Sequence, residues 1–425
     1  MSAEVTSAEK AGMGPGRFAL QASGDIFQAN LAYYAGLKKA KEEGRPIIYE
    51  YGVTPREIFH TVDAPTVFLE HVPFVLGLLG VGSHYMQIAE EHGFSKDVCA
   101  AHRCFLGCGA AKENEREPVW DQFYVAPDLI VAGNLPCISE SKAFLYLADH
   151  YKCPYYFIDT PINSWGMDPP DFAIEYTAGQ LKGALDFMGE QGFNVDRDKL
   201  KETVRLTKQV LMLWREINDL KKTPPTVMSP MDSLVTALLL IQILPPAQVL
   251  TLLEKVLKEV KEKKEKKEGL VEDEKVRLMF WGLPPVFNMQ LLDSVEKYGA
   301  VWVTYMLECA TGGAFDPSYI DPEMPLESIA RRTLIDIVNP ISSNMVEHTV
   351  QDAKDFKIDG VVVVVKRSCG LIPGFARQIK DAVYKGTGKP TTIFDLDGLD
   401  SREYDDATIR NSLDSFIETL LASKK

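Results

Sequence analysis

The sequence predicts an α/β fold of two Rossmann-like parallel-sheet domains with a helical insert between them. Three observations carry that reading. Short apolar runs bounded by glycine and proline alternate with helical periodicity over residues 45–170 and again over 273–425, the pattern of parallel strands covered on both faces. Between them, residues 171–272 hold only helical periodicity. There Val204, Leu206, Val210, Leu213, Trp214, Ile217 and Leu220 recur on one face, and Pro224-Pro225 and Pro245-Pro246 punctuate the segments. A chain of 425 residues, 46% of them hydrophobic, also exceeds one ordinary core.

The elements follow in order. Residues 1–44 are an N-terminal helical segment, in which Asp25 to Glu43 carries Ile26, Phe27, Leu31, Tyr34 and Leu37 at helical spacing and stops at Gly44. The first domain opens with a strand from Pro46 to Tyr51 and a capped helix start at Thr54-Pro55-Arg56-Glu57. A strand from Thr66 to Leu69 runs into Glu70-His71, and two more are expected at Asp128 to Ala132 and Tyr155 to Ile158. Lys261 to Glu268 is an unbroken run of charges of both signs and reads as a solvated helix end. The second domain reads as strands Val276 to Trp281, Ala300 to Met306, Gly360 to Val365 and Thr391 to Asp395. A helix is expected from Pro285 to Tyr298, and another from Asp405 to Leu421. The two halves are candidates for distant structural duplicates.

Bulk charge narrows the function. Lys and Arg total 46 against 60 Asp and Glu, a net charge of −14, which argues against nucleic acid or an anionic membrane as partner. The longest apolar run, Leu234 to Leu244, is well short of the roughly 20 residues that span a bilayer. No export signal is visible in Met1 to Arg17. Seven cysteines without compact spacing do not form a disulfide framework, so a reducing cytoplasm is the expected location.

Three of those cysteines stand in polar loops beyond strand-like or turn-like stretches: Cys99-Ala-Ala-His-Arg103, Gly133-Asn-Leu-Pro-Cys137 and Lys366-Arg-Ser-Cys369. Such loops converge at one sheet edge in an α/β fold, and three thiolates can hold one iron–sulfur cubane with its fourth iron open. Arg103 lies one helical turn from Cys99 and Arg367 stands beside Cys369, cations that favour the thiolate. Taken singly, each cysteine is as well explained by packing. Cys104, Cys108 and Cys153 are expected to be structural. Cys309, beside Gly312-Gly313, is the reserve candidate.

These motifs, with Gly107, Asp128-Leu-Ile-Val-Ala-Gly-Asn134, Ile158-Asp-Thr-Pro161 and Gly360 to Val365, resemble those of the 2-hydroxyacyl-CoA dehydratase and benzoyl-CoA reductase family. The resemblance extends over nearly the whole chain, to Asp397-Gly-Leu-Asp-Ser-Arg402. It implies a subunit with one [4Fe-4S] cluster on Cys99, Cys137 and Cys369, a homologous second subunit, and a separate ATP-dependent iron–sulfur activator that injects a low-potential electron. It further implies an acyl-CoA or aroyl-CoA substrate, dehydrated through a ketyl radical in one branch and dearomatised in the other. Asn134, Asp159-Thr-Pro161 and Arg367-Ser-Cys369 lean toward the dehydratase. Two departures stand out: Tyr49-Glu-Tyr-Gly-Val53 replaces the dehydratases' serine-rich strand end, and Leu69-Glu70-His71 replaces Pro-Glu-Asn. The retained Glu70 is the candidate carboxylate near the open iron, with His71 as a proton carrier; a surface or capping pair is the plainer alternative.

Double-cubane chemistry is not expected, because Glu113 to Pro127 contains no cysteine. A dinucleotide fold lacks its glycine fingerprint, since Gly77 to Gly82 has the wrong spacing. An iron–sulfur electron relay is the remaining rival, and a fourth cysteine at the cluster, Cys309 first, would favour it.

Overall fold

The computed structural model describes residues 14, 16–50, 55–135, 137–240, 244–308, 316–336, 339, 342–366, 368–370 and 372–424. Two four-stranded sheets, parallel throughout, organise them. The first comprises β1 (Ile48–Glu50), β2 (Thr66–Phe68), β3 (Leu129–Gly133) and β4 (Tyr155–Ile158), in the order β2-β1-β3-β4. The second comprises β5 (Val276–Trp281), β6 (Ala300–Tyr305), β7 (Gly360–Val365) and β8 (Thr391–Asp395), in the order β6-β5-β7-β8. Both halves therefore share one topology, as two copies of a single unit would. In each, the order reverses between the first and third strands, the crevice where open α/β sheets bind ligands.

The middle of the chain consists of the helices Asp171–Glu190, Asp198–Lys221, Pro230–Leu240 and Pro246–Lys266. It does more than connect. Leu181, Leu185, Met188, Leu200 and Val204 from its first two helices pack on Ile48, Leu129, Val131 and Ile158 of the first sheet, so one face of that sheet is covered by helices that follow it in sequence. Ile329 and Ala330 of helix Pro325–Ile335, from the second half, join the same core. The largest core holds residues of both sheets, among them Ile130, Ala132, Phe280 and Val362, together with Trp214 and Ile217. The charged run ends helix Pro246–Lys266, where Lys267 adopts φ 58°.

Two helices expected from the sequence take another form. Arg56–Thr61 is a 3-10 turn without a side-chain cap, and Thr54 lies outside the described residues. Pro285 to Tyr298 divides into three short turns, Val286–Asn288, Gln290–Asp293 and Ser294–Tyr298. The cause is competition for carbonyls: Trp302 Nε1 donates to Leu292 O (2.9 Å) and Ser294 Oγ to Leu291 O (2.6 Å), which offers the backbone alternatives to a regular ladder.

No single helix among the described residues is long and apolar enough to cross a membrane; one bent pair, His71–Leu78 with Gly82–Glu91, passes only jointly. Its apolar residues Val72, Leu76, Tyr85 and Met86 lie in the largest core.

Candidate functional site at the seam of the two sheets

Cys137 follows β3 by four residues and Cys369 follows β7 by four. They occupy equivalent places beside the two switch points. Cys99 immediately precedes helix Ala100–Ala110, and Cys137 immediately precedes helix Ile138–Tyr151, positions where the helix dipole favours a negative sulfur. The loops are stitched together. Ala100 N donates to Ser368 Oγ (3.0 Å), Ser368 Oγ donates to Asp397 Oδ2 (2.7 Å), and Lys366 Nζ donates to Cys99 Sγ (3.1 Å). Ile372 N donates to Cys369 Sγ (3.4 Å). Cys99 lies close enough to Cys137 to add to the rise of its pKa, and Cys99 and Cys369 both lie close enough to Lys366 to favour its ammonium. The structure thus gathers all three loops at one seam between the sheets.

The cation at Cys99 is not the one expected. Arg103 turns away from the thiol, into an ion-pair network with Glu90 and with Asp400 (3.3 Å), which Arg402 completes with bonds to Glu90 of 2.6 and 3.0 Å. It serves the seam between the halves. Lys366 reaches Cys99 from the other sheet. Burial works against its ammonium, but Cys99, Asp397 and Cys369 together hold its pKa above the usual lysine value. Arg367 and Cys309 lie outside the described residues.

Glu70 follows β2 and precedes helix His71–Leu78. It meets a partner that the sequence reading did not single out: Glu140, in the first turn of the helix after Cys137. Burial raises both carboxyls, each reinforced or moderated by the other, with Arg56 and Lys366 drawing Glu70 back down. Two facing carboxyls in a dry site hold at least one proton between them at neutral pH. Glu140 is fully buried, yet among the described residues neither of its oxygens has a hydrogen-bond partner. Its ligand atom, Cys137 Sγ and a ring nitrogen of His102 lie within 4.8 Å of one another.

Both histidines at the site are neutral. His71 is buried, its Nδ1 2.8 Å from Tyr34 Oη, and burial with Arg56 nearby pushes its pKa down to about 3. His102 is likewise driven to about 3 by burial and Lys366, and its Nδ1 lies 3.4 Å from Ser139 Oγ, which is 3.2 Å from Cys137 Sγ. Cys137 itself is raised by burial, against the hydrogen bonds of Ser139 and Glu140. Asn134 has a structural role: its side chain clamps Asp159 and Thr160 at the end of β4 through bonds of 2.8 to 3.3 Å.

The donor set fits an iron–sulfur group. Cys99, Cys137 and Cys369 are free thiols, and soft thiolates select such clusters. Beside Cys137, Glu140 and a ring nitrogen of His102 add two further donor atoms, all within 4.8 Å of one another. Cys104 and Cys108 instead pack in the core, with Cys108 driven up by burial, and Cys153 lies at the entrance of β4, raised to about 11 by burial. A cavity of about 330 Å³ opens beside the same seam, with Lys96, Asp97 and Arg103 on one wall and Ser368, Asp397 and Arg402 on the other.

The profile of one protein family, 2-hydroxyglutaryl-CoA dehydratase, D-component, matches residues 52–420. The chain belongs to that family. The (R)-phenyllactyl-CoA dehydratase alpha subunit of Clostridium sporogenes is 24% identical to it over 91% of this chain and 92% of its own length. The (R)-2-hydroxyisocaproyl-CoA dehydratase alpha subunit of Clostridioides difficile is 23% identical over 92% and 94%. A benzoyl-CoA reductase subunit of Thauera aromatica is 24% identical over 78% of each chain. The dehydratase family member thus has relatives named for both the lyase and the reductase branch.

Proposed function

We propose that this chain is the iron–sulfur subunit of an enzyme that acts on CoA thioesters by low-potential one-electron chemistry, dehydrating an (R)-2-hydroxyacyl-CoA to an enoyl-CoA. The observation that carries the reading is the meeting of three cysteine loops from two sheets at one seam, where Ala100 N bonds Ser368, Lys366 bonds Cys99, and Cys99 lies near Cys137. Cys99, Cys137 and Cys369 would hold a [4Fe-4S] cluster, whose bound form supplies one-electron transfer and a Lewis-acidic iron. The chain's own part is position and dryness. Glu70, raised by burial, is suited to take up and return a proton at the substrate, with neutral His71 behind it as carrier. The seam between the halves keeps water from a reactive intermediate.

Relatives that are each named as one subunit of a larger enzyme support a homologous second subunit, and with it an ATP-dependent activator as electron source. Aroyl-CoA reduction is the second reading, favoured by the relative in Thauera aromatica and by Tyr49 at the place of the dehydratases' serine-rich strand end. The test is anaerobic co-production with the partner subunit and activator, followed by assay with 2-hydroxyacyl-CoA and with benzoyl-CoA. About four irons per chain and enoyl-CoA formation are expected. Ring reduction instead selects the second reading, and a cluster indifferent to either thioester selects an electron relay.

A further inference from the structure

Lys366 is among the largest fully buried side chains of the protein. A lysine is almost never so placed unless it is paired, and stripping an ammonium of water is costly. It follows directly on β7, five consecutive valines after Gly360, and its Nζ donates to Cys99 Sγ at 3.1 Å across the seam. Among the described residues it forms no ion pair with a carboxylate within 4 Å; Asp397, the acid whose charge it feels, is held by Ser368 Oγ, Leu399 N and Asp400 N. The partner of this buried cation is therefore a sulfur.

We propose that Lys366 sets the reduction potential of the cluster held by Cys99, Cys137 and Cys369, by placing a fixed positive charge and a hydrogen bond on one of its thiolates. The inference rests on the iron–sulfur reading above. A sulfur bound to iron keeps lone pairs that accept such a bond, and hydrogen bonds to sulfur and local charge are two of the levers on cluster potential. Reduction adds one electron from an external donor and breaks no bond. The added charge spreads onto the sulfurs, so an ammonium 3.1 Å from one of them favours the reduced form, and the desolvated surroundings leave that attraction weakly screened. Asp397 acts on the same place with the opposite sign. Lys366 makes the site a thermodynamic sink for an electron delivered from outside, without touching the substrate; it is a positioning and tuning residue.

The experiment is a redox titration of the reconstituted full-length chain, wild type, K366M, K366R and D397N, with dithionite as reductant and the reduced cluster's electron paramagnetic resonance signal as readout. Iron is counted in each sample. K366M is expected to shift the reduced-to-oxidised ratio at fixed potential by about tenfold toward the oxidised form, or about 59 mV more negative. K366R should stay within about threefold of wild type, and D397N should move the opposite way to K366M. If K366M fails to hold iron, K366Q decides in the same titration: a negative shift supports the proposal, and the wild-type potential or a positive shift overturns it. A K366M cluster with the wild-type potential also overturns it. Wild-type protein that takes up no iron overturns the cluster reading instead, so the two failures are distinct.

Discussion

Replacing Gly107 by alanine should be among the costliest single methyl additions at the described glycines. Gly107 lies in helix Ala100–Ala110, where that helix crosses Gly82–Glu91, and a Cβ there would stand 1.7 Å from Tyr85 O, 2.6 Å from Tyr85 C and 3.1 Å from Tyr85 Cα. An ordinary carbon–oxygen contact needs about twice the shortest of these, and backbone cannot rotate out of the way. The helices must part by about 1.5 Å, or the carbonyl must leave its ladder. Overpacking typically costs about 1–3 kcal/mol, and a clash with backbone this close belongs at or above the upper end, about 3 kcal/mol. The damage reaches the site, because the displaced helix begins at Cys99. Urea unfolding of G107A and G179A, monitored by circular dichroism, measures it. Gly179, in helix Asp171–Glu190, has nothing within 4 Å of its added Cβ, so G179A should gain about 0.5–1 kcal/mol. A G107A protein within about 1 kcal/mol of wild type would refute the close approach of the two helices.

Arg332→Met should destabilise by about 3–5 kcal/mol, since it strands Glu57, whose Oε2 accepts from Arg332 Nη2 at 2.6 Å with both side chains buried; R332M/E57M should recover most of the loss in the same assay. The share of stability that depends on His71 and His102 should fall on acidification between about pH 6.5 and 3, while the raised carboxyls of Glu70 and Glu140 work the other way. His71 and His102 are depressed in the folded state by burial, Arg56 adding for the first and Lys366 for the second, so the unfolded chain binds more protons across that window. H71N should flatten the dependence by up to about 1.4 kcal/mol per pH unit, as read from unfolding curves at several pH values; an unchanged slope would show that His71 is already charged. C137S and C369S should lose bound iron on anaerobic reconstitution while C153S retains it, by iron assay and visible absorbance.

Much of the architecture was legible because the buried strands are bracketed by breakers and polar caps. Tyr155–Ile158, Val276–Trp281, Gly360–Val365 and Thr391–Asp395 have the limits that their apolar runs suggest. The failures occurred where tertiary contacts override local pattern: Pro285 to Tyr298 has helical periodicity, but Trp302 and Ser294 claim its carbonyls. The cysteine loops could be read because each follows a recognisable turn or strand. Their surroundings could not. Arg103 is one helical turn from Cys99 in sequence but spent on Glu90 and Asp400, whereas Lys366 is 267 residues away and touches the sulfur. Its one sequence signal was a lysine directly after a run of valines. Glu140 had a fainter one, an acid three residues beyond Cys137 in a helix start, a spacing that equally suits a cap.

The donation of Cys99 and Cys137 by one sheet and Cys369 by the other has a bearing on how the protein is made. With two of its sulfurs already outside the ribosome and the third still hundreds of codons from translation, a nascent chain offers an incomplete cradle. On the proposed cluster assignment, loading can be completed only after synthesis has passed Cys369 and the second sheet has docked, which would make metal loading a checkpoint on the finished fold.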